Sequence, residues 1–129
     1  MVKYLSPDLY RDIFYNDPDA KLVIKVVRND EDVVSDYIIL NANDAFEKSM
    51  GTTRAEIVNQ PISQLNPSTE KVWFKILDDI LDPDKPNHHR QHIKLFEFRY
   101  LFQGYLLEED FIVLEFIEIS DVYNPGDDI

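Results

Sequence analysis

The sequence predicts an α+β domain, in which several short helices and one long helix pack on one face of an antiparallel sheet of about five strands. Three observations predict this class: two β-branched segments near the N-terminus, an amphipathic stretch over 68–82, and a strand-rich stretch over 88–118. Strands and helices thus come in separate blocks, which is typical of α+β domains.

Length and charge limit the possible functions. The chain of 129 residues is one domain by size, and 44% hydrophobic with 29% charged residues is ordinary globular composition. A net charge of −12 opposes binding to nucleic acids and anionic membranes, because both need a positive patch. We therefore expect neither as a partner.

Cysteine content and hydropathy bear on location. The sequence has no cysteine, which excludes disulfides, thiolate metal sites and cysteine nucleophiles and fits a reducing compartment. The N-terminus is too polar for a signal peptide, and no run approaches the roughly 18 apolar residues of a membrane span. We expect a cytoplasmic location, and the sequence does not distinguish a separate protein from a fragment of a larger membrane receptor.

The first elements are a short helix and two strands. Ser6 and Pro7 are suited to the N-cap and first position of a helix that Asp17-Pro18 ends. The β-branched segments 21–28 and 36–40 follow, with a polar connection that predicts an antiparallel hairpin. The helix carries apolar residues at helical spacing, namely Leu9, Ile13 and Phe14.

Short helices are predicted next. Asn43 is placed to cap a helix that ends at Gly51, because glycine enters the left-handed region at little cost. Thr53 and Glu56 have the spacing of a capping box. In this motif, the side chain of each residue accepts a hydrogen bond from the backbone N–H of the other.

The long helix over 68–82 is the clearest element. Its apolar residues recur as adjacent pairs every four positions, which makes one wide stripe, and Asp82-Pro83 ends it. We predict that this stripe packs on the sheet. Its members are Val72, Trp73, Ile76, Leu77, Ile80 and Leu81.

Two or three strands are predicted over 88–118, with turn signals at Gly104 and at 108–110. The last strand, 111–119, is apolar on both faces, although a lone antiparallel sheet commonly has one wet face. Either the N-terminal helix or another subunit should cover the second face, and we predict a homodimer that uses both. One face carries Ile112, Leu114 and Phe116, and the other Phe111, Val113, Ile117 and Ile119.

The segment DYIILNANDAFEKSMGTTRAEIVNQPISQLNP resembles the central signature of PAS domains, especially those of bacterial sensor histidine kinases and diguanylate cyclases. The closing FIVLEFIEISD resembles the last strand and exit motif of that family. Asn59 stands near a position where the family commonly has glycine, and we expect it in the left-handed region. The matching residues are Asn41, Ala45, Phe46, Gly51, Glu56, Ile57 and Pro67.

The resemblance implies a PAS domain over 19–121, preceded by a helical cap (1–18) and followed by an acidic tail (122–129). It implies a sensory signal-input module that senses a small ligand or a partner protein and relays the signal to an effector outside this chain, as in two-component systems. A ligand-free dimerisation or interaction module is the alternative. A small α+β enzyme is the weakest hypothesis, and we expect no catalysis.

Two sets of site residues are predicted. Aromatic and apolar side chains between sheet and helices either line a ligand cavity or simply fill the core. The candidates for the cavity are Phe46, Trp73, Leu77, Phe96 and Phe98, with Phe74 beside them. The PAS-like motif residues Asn41, Gly51, Thr53 and Glu56 are expected to be structural and not catalytic.

No cofactor is identified. Haem-binding relatives use a histidine on the long helix, which has none here, and flavin photochemistry needs a cysteine. His88 and His92 would share a strand face opposite His89, which allows a two-ligand metal site or a solvated strand edge. We predict no metal site. The carboxylate clusters at 78–79 and 108–110 are expected to be solvated and not to act in acid–base chemistry.

Overall fold

A computed structural model of the chain describes residues 6–64, 67–85, 89–95 and 98–119. Helices and strands follow in the order predicted from the sequence. Short 3-10 turns lie at Ile62–Gln64 and Glu108–Asp110. The helices are α1 (Pro7–Asn16), α2 (Asp44–Met50), α3 (Arg54–Ile57) and α4 (Pro67–Leu81); the strands are β1 (Ala20–Arg28), β2 (Val34–Ala42), β3 (His89–Leu95), β4 (Phe98–Leu107) and β5 (Phe111–Glu118).

The described strands form one antiparallel sheet in the order β2-β1-β5-β4-β3. The α+β class and the antiparallel sheet are thereby confirmed. The first and last of the described strands, β1 and β5, lie side by side at the centre of the sheet, so neither is an edge strand. Among the described residues, no helix is long and apolar enough to cross a membrane.

The interpretation of Gly104 as a turn residue is wrong. Gly104 lies within β4, where it pairs with His89 on one side and Leu114 on the other. It is glycine because α4 crosses the sheet here, as described below. The second turn signal, Glu108–Asp110, does join β4 to β5. Residues 96–97, between β3 and β4 in the chain, lie outside the described residues.

The core lies between the inner face of the sheet and the helices. Alternate residues of β1 and β5 are buried, which fits the period of two expected for a strand. On α4, the stripe predicted from the sequence buries Trp73, Ile76, Leu77 and Ile80, while Val72 and Leu81 pack at its margins. The long stripe therefore packs as predicted.

Local signals for helix ends are reproduced. Ser6 Oγ accepts a hydrogen bond from the Leu9 amide at 3.1 Å, and Asn43 Oδ1 accepts one from the Phe46 amide at 3.0 Å. Gly51 ends α2 with φ 64°, and Asn59 has φ 67°, so both adopt the left-handed conformation expected from the sequence.

The predicted capping box of α3 is wrong. Thr53 occupies the N-cap, but its side chain makes no capping hydrogen bond. Glu47 of α2 takes that role, because its Oε2 accepts from the Arg54 amide at 2.8 Å. The Glu56 carboxylate instead accepts from Thr52 Oγ1 at 3.2 Å. A single-turn helix packed against another is thus capped from its neighbour, a contact that local sequence does not encode.

Helix α1 is attached near its C-terminal end. Asn41 Nδ2 donates to Tyr15 Oη at 3.0 Å, and the Arg54 guanidinium lies 4.5 Å from the centre of the Tyr15 ring. Leu9 and Ile13 remain exposed, Ile13 by 52%. The expectation that this stripe covers the sheet therefore fails within one chain, because the Tyr15 contacts hold the helix beside α2 and α3.

Candidate functional site

Five buried aromatic rings meet on the inner face of the sheet, and we call them the ring cluster. Phe102 and Phe116 stack with centroids 4.9 Å apart. Trp73 of α4 meets Phe102 edge-on at 5.6 Å, Tyr100 meets Phe116 at 5.5 Å, and Phe46 of α2 meets Phe116 at 5.6 Å. Edge-to-face and offset-stacked pairs at these distances are favourable beyond simple burial. The cluster therefore joins both helices to the two strands β4 and β5.

The predicted cavity residues are only partly brought together. Phe46 and Trp73 belong to the ring cluster, and Leu77 is fully buried one turn of α4 further on. Phe96 lies outside the described residues, and Phe98 begins β4 with its side chain outside the description. Phe74 is half-buried and instead faces Tyr37, with ring centroids 5.6 Å apart.

Sequence reasoning missed Tyr100 and Phe102. Both point to the inner face of β4 and are buried. The signal was present, because Phe98, Tyr100, Phe102 and Gly104 alternate at the strand period of two. If Gly104 is interpreted as a turn residue, the alternation ends before it, and these residues are not recognised as one buried face of a strand.

Two buried polar groups border the ring cluster. Trp73 is 6% exposed and Tyr100 4%, yet neither the indole N–H nor the phenol hydroxyl hydrogen-bonds to any of the residues described. Burial, with the negative charge of Glu118, raises the pKa of Tyr100, so its hydroxyl stays protonated at neutral pH. Donors on buried residues are commonly paired in native proteins, so each of these two has an acceptor to find, either in water or in a ligand.

A third buried polar group, the hydroxyl of Tyr37, is paired. Tyr37 of β2 is fully buried and donates to Asp78 Oδ1 of α4 at 2.5 Å. Burial and the adjacent Asp78 carboxylate raise the pKa of Tyr37 far above its ordinary value. This bond ties the long helix to an edge strand of the sheet, on the far side of the core from β3.

The outer face of the sheet has a half-open groove of about 210 Å³. It lies where β4 and β5 pass the start of β1, and Ile117 at its margin is 38% exposed. Lys21 Nζ bridges Glu115 Oε2, at 3.4 Å, and Asp17 Oδ2, at 2.9 Å. The lining residues are Asp19, Leu101, Gln103, Glu115, Phe116 and Ile117.

Comparison with solved structures decides the fold. A domain of a sensory box sensor histidine kinase/response regulator from Geobacter sulfurreducens superposes with TM-score 0.57 at 15% identity, over 84% of this chain and 90% of that one. The PAS domain of Bordetella pertussis BvgS superposes with TM-score 0.51 at 16% identity, over 88% and 82%. The chain has a PAS-like fold. No family model matches the sequence, and no curated protein matches it either.

A third PAS structure with this fold was solved with a small molecule bound. The PAS domain of a LuxR-family transcriptional regulator from Burkholderia thailandensis, in complex with ethanol, superposes with TM-score 0.51 at 16% identity. The match covers 86% of this chain and 97% of that one. At such identities the comparison establishes the PAS-like fold and nothing finer.

Asn41 of the PAS-like motif and the predicted helix cap Asn43 both hydrogen-bond to the backbone. Asn43 is fully buried, and its Oδ1 accepts from the Lys21 and Phe46 amides while Nδ2 donates to the Asp19 carbonyl at 2.8 Å. Asn41 Oδ1 accepts from the Ala42 amide at 2.9 Å, and the side chain also bonds Tyr15. Both asparagines therefore hold neighbouring groups by hydrogen bonds, and the structural role expected of Asn41 stays a prediction.

Polar clusters considered for chemistry have structural partners. Lys85 and Lys75 contact Asp79, and the hydrogen bond from Lys85 lowers the pKa of its carboxyl group. Asp78 accepts from Tyr37, so the two neighbouring carboxylates do not act on a common group. Within the described ranges, no three His, Asp or Glu side chains are grouped to hold a metal ion.

The predicted histidine pair is only partly visible. His92 lies on β3 and is exposed. His88 is outside the described residues, and of His89 the backbone in β3 is described but not the side chain. The strand-edge and two-ligand interpretations therefore both stay predictions.

Proposed function

We propose that this PAS-like domain is a signal-input module that takes up a small molecule beside the ring cluster and relays its presence to an effector outside this chain. The observation that carries the proposal is the pair of buried donors, the Trp73 indole N–H and the Tyr100 hydroxyl, that border the same aromatic rings without an acceptor among the described residues. A ligand that brings an acceptor atom to each donor would satisfy both groups.

The surroundings suggest the kind of ligand. Aromatic and aliphatic side chains favour an apolar body, and the two donors favour a carbonyl, ether or hydroxyl oxygen. A carboxylate is less suited, because Glu118 on the neighbouring strand already places negative charge near Tyr100. The ethanol complex of the similar LuxR-family PAS domain supports a small hydroxyl compound as one member of this class.

The long helix offers a route for the signal. Trp73 is on α4, which also carries Asp78, the partner of Tyr37 on β2, and Ile80, which lies against Gly104 of β4. A ligand that shifts α4 would act on the sheet at both points. Such a ligand changes the population of two conformations to the extent that it binds one of them more tightly.

Denaturing extraction of the purified protein, followed by mass spectrometry, tests for the ligand. Trp73→Phe and Tyr100→Phe each remove one donor and keep a ring in place. If a ligand accepts hydrogen bonds from these donors, both variants should lose it. Their melting temperatures should then fall toward that of wild-type protein refolded without the ligand. Ser49→Ala removes an exposed hydroxyl of α2, outside the proposed dimer contact, and serves as the control.

The opposite outcome is equally specific. Without a ligand, removing an unsatisfied buried donor is neutral or stabilising, since the desolvation cost disappears with the group. Tyr100→Phe would then melt at or above the wild-type temperature, and no small molecule would be extracted. That result would reject the ligand and favour the alternative below.

The alternative is a ligand-free dimerisation or interaction module, and the exposed apolar surface favours it. Four large apolar side chains are exposed in one chain: Leu9, Tyr10 and Ile13 of α1 and Ile117 of the outer sheet face. Surfaces of this kind commonly mark interfaces. We propose a homodimer whose contact combines α1 with the outer face, in either function, with residues 19–121 as the PAS unit, 1–18 as its cap and 122–129 as an acidic tail.

Truncation tests the dimer. Deleting residues 1–17 should change the oligomeric state or cause aggregation, because one part of the contact is lost and the remainder is exposed. Sedimentation or light scattering over a range of concentrations measures the effect. A wild-type monomer at high concentration, with solubility unaltered by the deletion, contradicts the homodimer.

A further inference from the structure

The groove on the outer face of the sheet has a carboxylate without a partner in its wall. Asp19 directly precedes β1 and lines the groove, where it is partly buried. Its backbone groups bond to the side chains of Asp17 and Asn43, but its carboxylate bonds to none of the described residues. Taking a charge out of water costs free energy unless the charge is paired, so Asp19 is suited to bind a cation.

A second carboxylate lies diagonally across the groove. By the register of β1 and β5, Asp19 is in line with Ile117 and diagonal to Glu115. Diagonal neighbours on one face of a sheet are about 7–8 Å apart. Leu101 and Ile117 line the groove with them and form its apolar floor. The groove thus offers two carboxylates and an apolar surface beside them.

Lys21 offsets only part of this negative charge. Its Nζ atom lies 2.9 Å from Asp17 Oδ2 and 3.4 Å from Glu115 Oε2, so Asp17 is the closer partner. With Asp19 included, three carboxylates face one ammonium group, which leaves two negative charges at this end of the groove. Arg90 of β3 lies two strand spacings from Glu115 by register, about 10 Å away. The field at Asp19 and Glu115 therefore attracts a cation.

We propose that the groove binds a short aliphatic diamine, with one ammonium group on Asp19, the other on Glu115 and the carbon chain over the apolar floor. A chain of about four or five carbon atoms spans the two carboxylates. The groove volume of about 210 Å³ is that of about seven molecules of liquid water, which suits a molecule of this size. Both amines are protonated at neutral pH, because alkylamines, like lysine, have pKa values of about 10.

This site is distinct from the one proposed beside the ring cluster. Ammonium groups donate hydrogen bonds and accept none, so a diamine cannot satisfy the donors of Trp73 and Tyr100. The groove lies instead at the junction of α1 and β1, since Asp17 ends α1. An ammonium group on Glu115 takes the place of Lys21, which keeps its closer contact with Asp17. Binding therefore changes the bridge that links the end of α1 to β5.

Other occupants fit less well. A bare metal ion gains nothing from the apolar floor, and no three His, Asp or Glu side chains of the described residues are grouped to hold one. A nucleic acid would be repelled by Asp19, by Glu115 and by the net charge of −12. Ile117 also belongs to the homodimer contact proposed above, so a bound diamine would compete with the second copy there.

Calorimetric titration with diaminobutane tests the site. Binding should be saturable, while butylamine should bind more weakly and butanediol, which has no charge, should not bind. Asp19→Asn should weaken binding by about tenfold, because a charge-assisted hydrogen bond is lost. Glu115→Gln should weaken it less, since Lys21 already shares that carboxylate. Lys21→Met should tighten binding, because the competing ammonium group is removed.

Controls separate the possible results. Asp30→Asn removes an exposed carboxylate of the β1–β2 turn, off the groove, and should leave binding unaltered. Trp73→Phe should also leave it unaltered, so the groove and the ring cluster are tested independently. Circular dichroism checks that every variant is folded. Absence of saturable binding overturns the site, and so does an equal loss in Asp30→Asn and Asp19→Asn, which would show that the diamine follows only the net charge.

Discussion

Ile80 of α4 lies directly over Gly104 of β4. A Cβ atom added to Gly104 would come 2.3 Å from Ile80 Cδ1 and 3.2 Å from Leu114 Cδ1. The backbone of Gly104 has no positive φ, so the glycine is there for space and not for conformation. The long helix can approach the sheet closely only because this position has no side chain.

Gly104→Ala should destabilise the fold by about 1–3 kcal/mol, because the added methyl group displaces Ile80. Urea unfolding measures the loss. Ile80→Val removes the Cδ1 atom that the methyl group meets, so the double variant Gly104→Ala/Ile80→Val should cost less than the sum of the two single changes. Strict additivity would show that the two residues are not in contact.

Tyr37→Phe should cost about 1–2 kcal/mol at neutral pH, through loss of the hydrogen bond to Asp78. It should also alter the pH dependence. The pKa of Tyr37 is raised above its unfolded value of 10.0, so its contribution to stability is complete below about pH 10 and is lost as the pH rises further. The variant should lose stability less steeply above about pH 10, and equal slopes by urea unfolding at about pH 8–11 would contradict this.

Glu47→Ala should destabilise the domain by about 1 kcal/mol, because the Arg54 amide at the start of α3 loses its acceptor. Thr53→Ala is the matched control and should change stability little, since the Thr53 side chain makes no capping bond. Thermal unfolding distinguishes the two. A larger effect at Thr53 than at Glu47 would restore the capping box that the sequence suggested.

Gly51→Val should cost about 1–2 kcal/mol, because φ is 64° and a β-branched residue is strained there. A Cβ at this position meets nothing within 4 Å, so the cost is conformational and not steric crowding by neighbours. Gly51→Asn should be milder, as asparagine tolerates the left-handed region. Equal losses for the two variants, in chemical unfolding, would argue against this explanation.

Trp73→Ala should cost about 3–5 kcal/mol, as the buried indole leaves a cavity beside Phe102 and Phe116. Trp73 is also the one tryptophan of the chain, so its fluorescence reports on the ring cluster alone. Emission of the folded protein should lie to the blue of that of the unfolded chain. A melting temperature within a degree or two of wild type would contradict the packing of α4.

The sequence by itself determined the elements whose signals lie within a few residues. Ser6 before Pro7, Asn43 three residues before Phe46, and Gly51 after α2 each act through backbone groups close in the chain. The stripe of α4 is likewise local, because its period alone defines the buried face. Such signals are interpretable without knowledge of any other element.

Tertiary structure alone decided which elements meet. Glu47 caps α3 in place of Thr53 because α2 lies beside α3. Residue 104 is a glycine within a strand because Ile80 of α4 occupies the space that a side chain there would need. The same packing brings Trp73 of α4 and Tyr100 of β4 against Phe102, although β3 lies between these two elements in the sequence. Contacts between residues distant in sequence depend on the register of the sheet and on the placement of the helices. A short segment of sequence specifies neither of these.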